Sequence, residues 1–408
     1  MPLRAVEDAS VLRPDASYDR LPVGRGSAEA LTPFILAGFT AFLSLYAPQP
    51  LLPLFERVFG ADHFHSSLAI TATTIAVAIA APFVGRVADV VGKRRVIIAA
   101  AFLLALATVM AATSRSLNAV IAWRFAQGIT TPGVFAVAVA FIHDRWEGAR
   151  AATTTAAYVT GTVIGGFIGR VVSGQAAAVW GWRASFLSIG VLSLGCAGIL
   201  AWQLPPDRVA HPAHMTPDAP SARLWSRLTA RTLLGTYAAG FCVLFTQIAM
   251  FTYVTFHLAA APFFLSTAAL GWLFAVYLAG AVVTPVSGGW INEYGHRATL
   301  AIAMALGVAG SLLTLSHAIA FVVAGLGLVC SGVFVAQAAA NGYIGVAAKS
   351  DRGLAVGMYA TCYYIGGSIG GVLPSLFWKT GGWTACVVLV IIVQIATAVL
   401  GWAFWRPT

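Results

Sequence analysis

Charged residues are scarce in this sequence. Asp, Glu, Lys and Arg together supply 9% of it, and the acids number 14 against 24 Lys and Arg. Soluble domains draw about a quarter of their residues from these four types, so a soluble enzyme or binding module is excluded as a starting point. Cysteine is sparse too. The five thiols, Cys196, Cys242, Cys330, Cys362 and Cys386, all fall inside apolar runs at irregular spacing. That pattern offers neither a disulfide framework nor a metal-ligand spacing, and each thiol reads as a small buried hydrophobe. No phosphate loop occurs, which argues against direct use of ATP. No nucleophile with a base and no His/Asp cluster points to catalysis, so neither an enzyme nor a cofactor or metal is implied. Residues 1–30 lack the short apolar core and cleavage site of a signal peptide and read as a polar, disordered tail.

What fills the chain instead is apolar sequence. Hydrophobic residues make up 59% of it and the mean hydropathy is +0.84. One membrane crossing takes about 20 apolar residues. Apolar runs between charge or turn clusters predict helices near residues 31–54, 67–88, 96–114, 117–143, 151–175 and 184–204, then 232–257, 266–290, 297–316, 319–347, 354–378 and 384–404. The expected fold is therefore an all-α integral membrane protein of twelve transmembrane helices. Between the two sets of six, "PPDRVAHPAHMTPDAPSARLWSR" is rich in Pro and charge and reads as a cytoplasmic linker over 205–231.

The basic residues set a direction. With the amino terminus inside, eighteen of the 24 Lys and Arg fall on inner segments. Only Arg57, Arg115, Arg183 and Lys379 fall on outer ones, and Arg124 and Arg170 lie within helices. This asymmetry favours both termini in the cytoplasm. A net charge of +10 raises the alternative of nucleic acid. A nucleic-acid binder gathers its base on one polar face, whereas here it is spread between apolar segments that face lipid.

The two sets of six repeat one another. Gly85, Asp89 and Gly92 are echoed by Gly288, Asn292 and Gly295. Gly161, Gly165 and Gly166 are echoed by Gly366, Gly370 and Gly371, and "GWRASF" from Gly181 by "GWTACV" from Gly382. Landmarks in one order at nearly one offset point to two six-helix bundles, residues 31–204 and 232–408, from a duplication. Parallel repeats of this kind occur in secondary transporters.

The stretch "GRVADVVGKRR", residues 85–95, concentrates five charges between two apolar runs. Its Gly85, Asp89, Gly92, Lys93 and Arg94 resemble the loop signature of the major facilitator superfamily, and helix count, duplication and linker agree from residue 31 onward. The resemblance implies that Asp89 contacts the start of the eleventh helix, near residues 353–358. It also implies that Arg94 or Arg95 pairs with Asp144 after the fourth helix, and that these contacts form only when the inner side is closed. Asn292 in the second copy implies a weaker lock there.

Within the bilayer, "RFAQGITTPG" places Arg124, Gln127, Gly128 and Thr131 on one helical face, resembling the superfamily's fourth-helix motif. An intramembrane Arg faces a cavity or a partner, or is satisfied by carbonyls. "GTVIGGFIGR" resembles the fifth-helix glycine motif of proton-driven exporters through Gly161, Gly165 and Gly169, with Gly166 in place of its Pro and Arg170 in place of its last Gly. These small residues are expected to pack against a helix of the other half. With no acid inside any predicted span, either protonation occurs elsewhere or the substrate brings negative charge to Arg124 and Arg170. Polar or aromatic residues at mid-depth are candidates for a central site: Tyr46, Gln49, Tyr158, Gln247, Tyr253, Gln337, Asn341 and Tyr363.

The resemblance extends to bacterial proton-coupled efflux permeases of the drug or arabinose type, through "LYAPQPLLP", the fifth-helix glycines and "YYIGGSIGGVLPS". It implies a monomeric inner-membrane antiporter that exports small organic molecules by alternating access, with protons as coupling ion. The alternative on the same fold is a proton-driven importer of a small organic anion or metabolite.

Overall fold

The computed structural model describes residues 31–207, 230–348 and 352–406. The expected tail, 1–30, and most of the expected linker lie outside the described residues. Among the described residues all regular structure is helical. The first half holds α1 (Thr32–Leu45), α2 (Leu52–Phe59), α3 (His63–Val91), α4 (Lys93–Ala112), α5 (Leu117–Arg145), α6 (Gly148–Trp180) and α7 (Trp182–Gln203). The second holds α8 (Arg231–Ala259), α9 (Thr267–Leu273), α10 (Val276–Leu313), α11 (Ile319–Ala347), α12 (Arg352–Val372) and α13 (Pro374–Phe404). Among the described residues, eleven helical segments are long and apolar enough to cross a membrane, with α1 and α2 counted as one. The Gly- and Tyr-rich α12 is not one of them, yet it packs between α8 and α3 and completes the second bundle.

Three of the expected helices are broken, one of them the run 354–378, which divides at Leu373 between α12 and α13. The run 31–54 divides into α1, a 3₁₀ turn over Gln49–Leu51, and α2. Pro48, Pro50 and Pro53 cause this, because proline has no N–H to give and its ring collides with the carbonyl four residues back. The run 266–290 breaks at Phe274 and Ala275, between α9 and α10. Other boundaries come from glycine. Gly92 and Gly181 in the first half, and Gly295 and Gly382 in the second, turn the chain between spans at positive φ of 102°, 84°, 77° and 58°, which side chains disfavour. Matching pairs thus do the same work in each repeat.

The fifth-helix glycines depart from expectation. A Cβ at Gly161, Gly165 or Gly169 would run into the carbonyl oxygens of Ile35, Phe39 and Leu43. All three belong to α1, so the motif packs α6 onto the first helix of its own half, not onto the other half. The second repeat does likewise: Gly366 and Gly370 of α12 lie on the carbonyls of Phe241 and Phe245 of α8. Small residues let backbones approach in this way and multiply dispersion contacts.

Among the described residues, the halves meet closely at the end opposite the 85–95 loop. At that far end, Thr71 Oγ1 donates to Ser368 O at 3.2 Å and Ser368 Oγ to Thr74 Oγ1 at 2.9 Å. The backbone of Gly174 on α6 lies against that of Gly271 on α9. The His63 ring packs, tilted, against Phe256 and Trp378 at 4.5 and 4.7 Å, and its Nδ1 lies 2.9 Å from the Glu56 carboxylate. Beside it Asp62 caps α3 by accepting from His65 N at 2.9 Å, and this bond, with a second from the His65 ring at 2.6 Å, holds its carboxyl below the usual range.

Candidate functional site at the junction of the halves

At the loop end the halves separate. A cavity of about 750 Å³ opens between α3, α5 and α12, lined among others by Gly85, Asp89, Ala136, Ala140, Leu354, Gly357, Thr361 and Cys362. This is the volume of a site for a small organic molecule, roughly 300–1,000 Å³. The far end is shut over the same interface, so the structure is open to one side only.

Groups that the sequence pairs line this cavity. Asp89 faces it, exposed, with Leu354 and Gly357 on another wall. Its ionic neighbour among the described residues is Lys93, at 3.8 Å. Asp144 has a different partner from the one expected: Lys93, not Arg94 or Arg95. Arg94 turns to the end of α7, donating to the carbonyls of Ala201 and Leu204 at 2.8 Å each. Its backbone N–H donates to Asp207 at 2.9 Å. Asp207 therefore places a negative charge at the amino end of α4 while Arg94 places a positive one at the carboxyl end of α7, both favourable to the helix dipoles. Arg95 is exposed.

Arg124 is completely buried. Its Nε donates to Ala69 O and its Nη1 to Ser44 O, each at 2.9 Å, with further bonds from Nη1 to Gln127 Oε1 and from Nη2 to Leu45 O. The proline-induced break explains these acceptors. Pro48 has no N–H to offer Ser44 O, and Gln49 N turns back to Tyr46 O in the 3₁₀ turn, which frees Leu45 O. Arg124 thus caps the interrupted end of α1. One turn on, a Cβ at Gly128 would meet the backbone of Thr73, so the glycine lets α5 come close enough to α3 for that cap.

Arg170 is as deeply buried, at 1% exposed, and far less bonded. Its Nε donates to Gln49 Oε1 and its Nη1 to Gly166 O, each at 2.7 Å, while its Nη2 is a buried donor with no partner among the described residues. Three rings surround the guanidinium: Tyr46 at 5.1 Å, Phe274 at 4.6 Å and Tyr277 at 4.5 Å. Both breaks contribute, Tyr46 and Gln49 from the α1–α2 break and Phe274 and Tyr277 from the α9–α10 break. Gln247 Nε2 reaches Tyr277 OH at 3.3 Å, and Gln49 Nε2 reaches Thr252 Oγ1 at 3.4 Å. Tyr363 stacks on Tyr359 at 5.9 Å and lies within electrostatic reach of Tyr46 and Tyr277.

The remaining candidates divide. Tyr158 lies within reach of Tyr364 in this tyrosine-rich layer. Tyr253 joins the far-end seal, its hydroxyl donating to Gly371 O at 3.0 Å and lying 3.5 Å from Ser67 Oγ. Gln337 is half-buried and Asn341 exposed, and neither lines the cavity. Sequence reasoning missed Phe274, Tyr277, Tyr364 and Asp207. Nothing distinguishes the first three from other aromatics in apolar runs, whereas Asp207 stood out as an acid just past a predicted helix end.

This arrangement has well-matched relatives. The profile of the Major Facilitator Superfamily matches residues 34–266 and 255–408. An uncharacterized transporter of Buchnera aphidicola subsp. Schizaphis graminum is 30% identical over 90% of this chain and 88% of its own length. The inner membrane transport protein YnfM of Escherichia coli is 28% identical over 90% and 88%. Among solved structures, an inward-facing, occupied bacterial homologue of the human lysosomal transporter Spinster superposes with a TM-score of 0.72 at 13% identity, over 94% of this chain and 96% of that one. The human organic anion transporter MFSD10 gives 0.67 at 17%, over 93% and 100%.

Proposed function

The chain belongs to the major facilitator superfamily, and on that premise we propose that it is a proton-coupled exporter of small organic molecules in a bacterial inner membrane. The observation that carries the reading is the one-sided cavity: about 750 Å³ open at the loop end, under a seam closed at the far end. A solute entering such a space leaves on the other side once the halves rock about their junction. The solute pocket is the layer between cavity and seam, formed by Tyr46, Gln49, Gln247, Tyr277 and Tyr363.

The basic asymmetry supports both termini in the cytoplasm, which makes this arrangement the inward-facing one. Residues 31–204 and 232–408 act as the two moving bodies, joined by the 205–231 linker, in a monomer. The 85–95 loop acts as a latch. On closure Asp89 meets the start of α12, and Lys93 holds Asp144 in place throughout. Outward direction and proton coupling rest on the resemblance of "LYAPQPLLP" and the α6 glycines to efflux permeases.

Everted membrane vesicles test this. With the lumen acidified by respiration, protein-dependent accumulation of solutes from a mixed panel, abolished by a protonophore, supports export. Accumulation only in intact cells with acid outside supports import instead. Cys362, a native thiol on the cavity wall, reports alternation: in a variant keeping it as sole cysteine, a membrane-impermeant maleimide labels it from the cytoplasmic face, and an imposed proton gradient changes the labelling rate.

A further inference from the structure

Arg170 is a cation that the fold leaves incomplete. A guanidinium carries five N–H donors, and here two hydrogen bonds are made while Nη2 makes none. No carboxylate of the described residues forms an ion pair with it. Cation–π contacts with the three rings offset part of the desolvation cost. An ion held without a counter-charge in a dry interior is costly, so a matching negative charge is favoured there. Arg124, the second buried cation, has its guanidinium committed to carbonyls and Gln127 and offers little to a ligand.

We propose that Arg170 anchors the carboxylate of a monoanionic cargo whose flat, apolar body lies among the surrounding tyrosine and phenylalanine rings. The assignment rests on the alternating-access reading and adds to it the charge and shape of the solute. Guanidinium and carboxylate match as planar forks, and Nη2 supplies the donors not yet used. Two of the three rings, Phe274 and Tyr277, belong to the other half. Rocking the halves apart draws them off the guanidinium and lets a carboxylate take their place. A single charge suits the site because, among the described residues, Arg170 is its one cation with an unused donor; the second charge of a dianion would stay uncompensated. Ring faces then favour an aromatic body, stacked or edge-on.

Thermal unfolding of the purified full-length protein in detergent at pH 7 tests this. The probes are benzoate, salicylate and phenylacetate, against the neutral benzamide and the cation benzyltrimethylammonium. At least one carboxylate is expected to raise the midpoint saturably, as binding to the folded form requires, while the amide and the cation leave it unchanged. Arg170→Gln should abolish that rise, and Arg170→Lys should weaken it at least tenfold, since an ammonium lacks the fork. Arg183→Gln, which removes a cation near the far-end surface, should leave it intact. If Arg170→Gln fails to fold, Arg170→Lys carries the comparison. Protection by benzamide equal to that by benzoate, protection by the cation alone, a rise that survives Arg170→Gln, or no effect of any carboxylate overturns the proposal. Gradient-dependent Cys362 labelling separates the two readings: if it persists while no carboxylate acts, only the anion assignment falls. If it is absent from the parent protein, alternating access falls as well.

Discussion

Arg124 and Arg170 carry the same charge on successive membrane-spanning helices, and both are shut off from water. Their surroundings differ in one respect. Arg124 meets backbone carbonyls that proline has released from α1, so its bonds are spent on holding the fold. Arg170 meets three rings, one side-chain amide and a single carbonyl of its own helix, which leave part of its hydrogen-bonding capacity unused. An intramembrane arginine is therefore not evidence of a ligand site until its donors have been counted. The count is what separates a cap from a receptor.

Mutations at the two sites should respond in opposite ways. The largest effect is expected from Arg124→Ala, which strands Ser44 O and Leu45 O in an apolar interior; about 3–5 kcal/mol should be lost. Denaturant unfolding in mixed micelles reads this, and a loss below about 1 kcal/mol would falsify the capping role. Next, Pro48→Ala supplies an N–H to Ser44 O, so Arg124→Gln should cost about 1 kcal/mol less in that background than in the parent. Additive losses in the double-mutant cycle would mean that the proline and the arginine are independent. Asp62→Ala, remote from both arginines, removes the α3 cap and should cost about 1 kcal/mol, with Asp62→Asn costing less. Because the Asp62 carboxyl is held below its usual range, its contribution is fully present above the unfolded carboxyl value and is withdrawn as pH falls through the folded one. The Ala variant should accordingly lose its disadvantage only in acid, and an equal gap at every pH would count against the cap. The smallest effect is expected from Arg170→Gln, which relieves an unpaired charge and should leave stability within about 1 kcal/mol of the parent. A loss matching that of Arg124→Ala would erase the distinction.

Much of the architecture could be read before any coordinate was known. Charge scarcity, the placement of Lys and Arg, and the paired glycines are one-dimensional signals of a two-bundle membrane fold. The broken first helix was partly legible, since Pro48, Pro50 and Pro53 stand in the sequence, but its consequence was not. Which carbonyls the break frees, and which distant arginine takes them, depends on how α1 and α5 are packed. The break between α9 and α10 has neither proline nor glycine at Phe274 and Ala275, so Phe274 and Tyr277 escaped notice. The choice of Lys93 over Arg94 or Arg95 by Asp144 is of another kind. Neighbouring helical residues point about 100° apart, and only the exact start of α4 after Gly92 decides which one faces α5. The α6 glycines announced a close contact but not with whom, because small residues look alike whether they face their own half or the other.

That last contact has a mechanical consequence. With α6 seated backbone to backbone on α1, and α12 on α8, each half lacks compliant side-chain padding along that seam. A stiff body about 30 Å tall that turns near its middle behaves as a lever, so a slight tilt at the fulcrum becomes a wide swing at the rim. On the alternating-access reading proposed above, stiffening by glycine would let a small molecule, touching a few side chains at the pivot, move the mouth of the cavity many ångströms away.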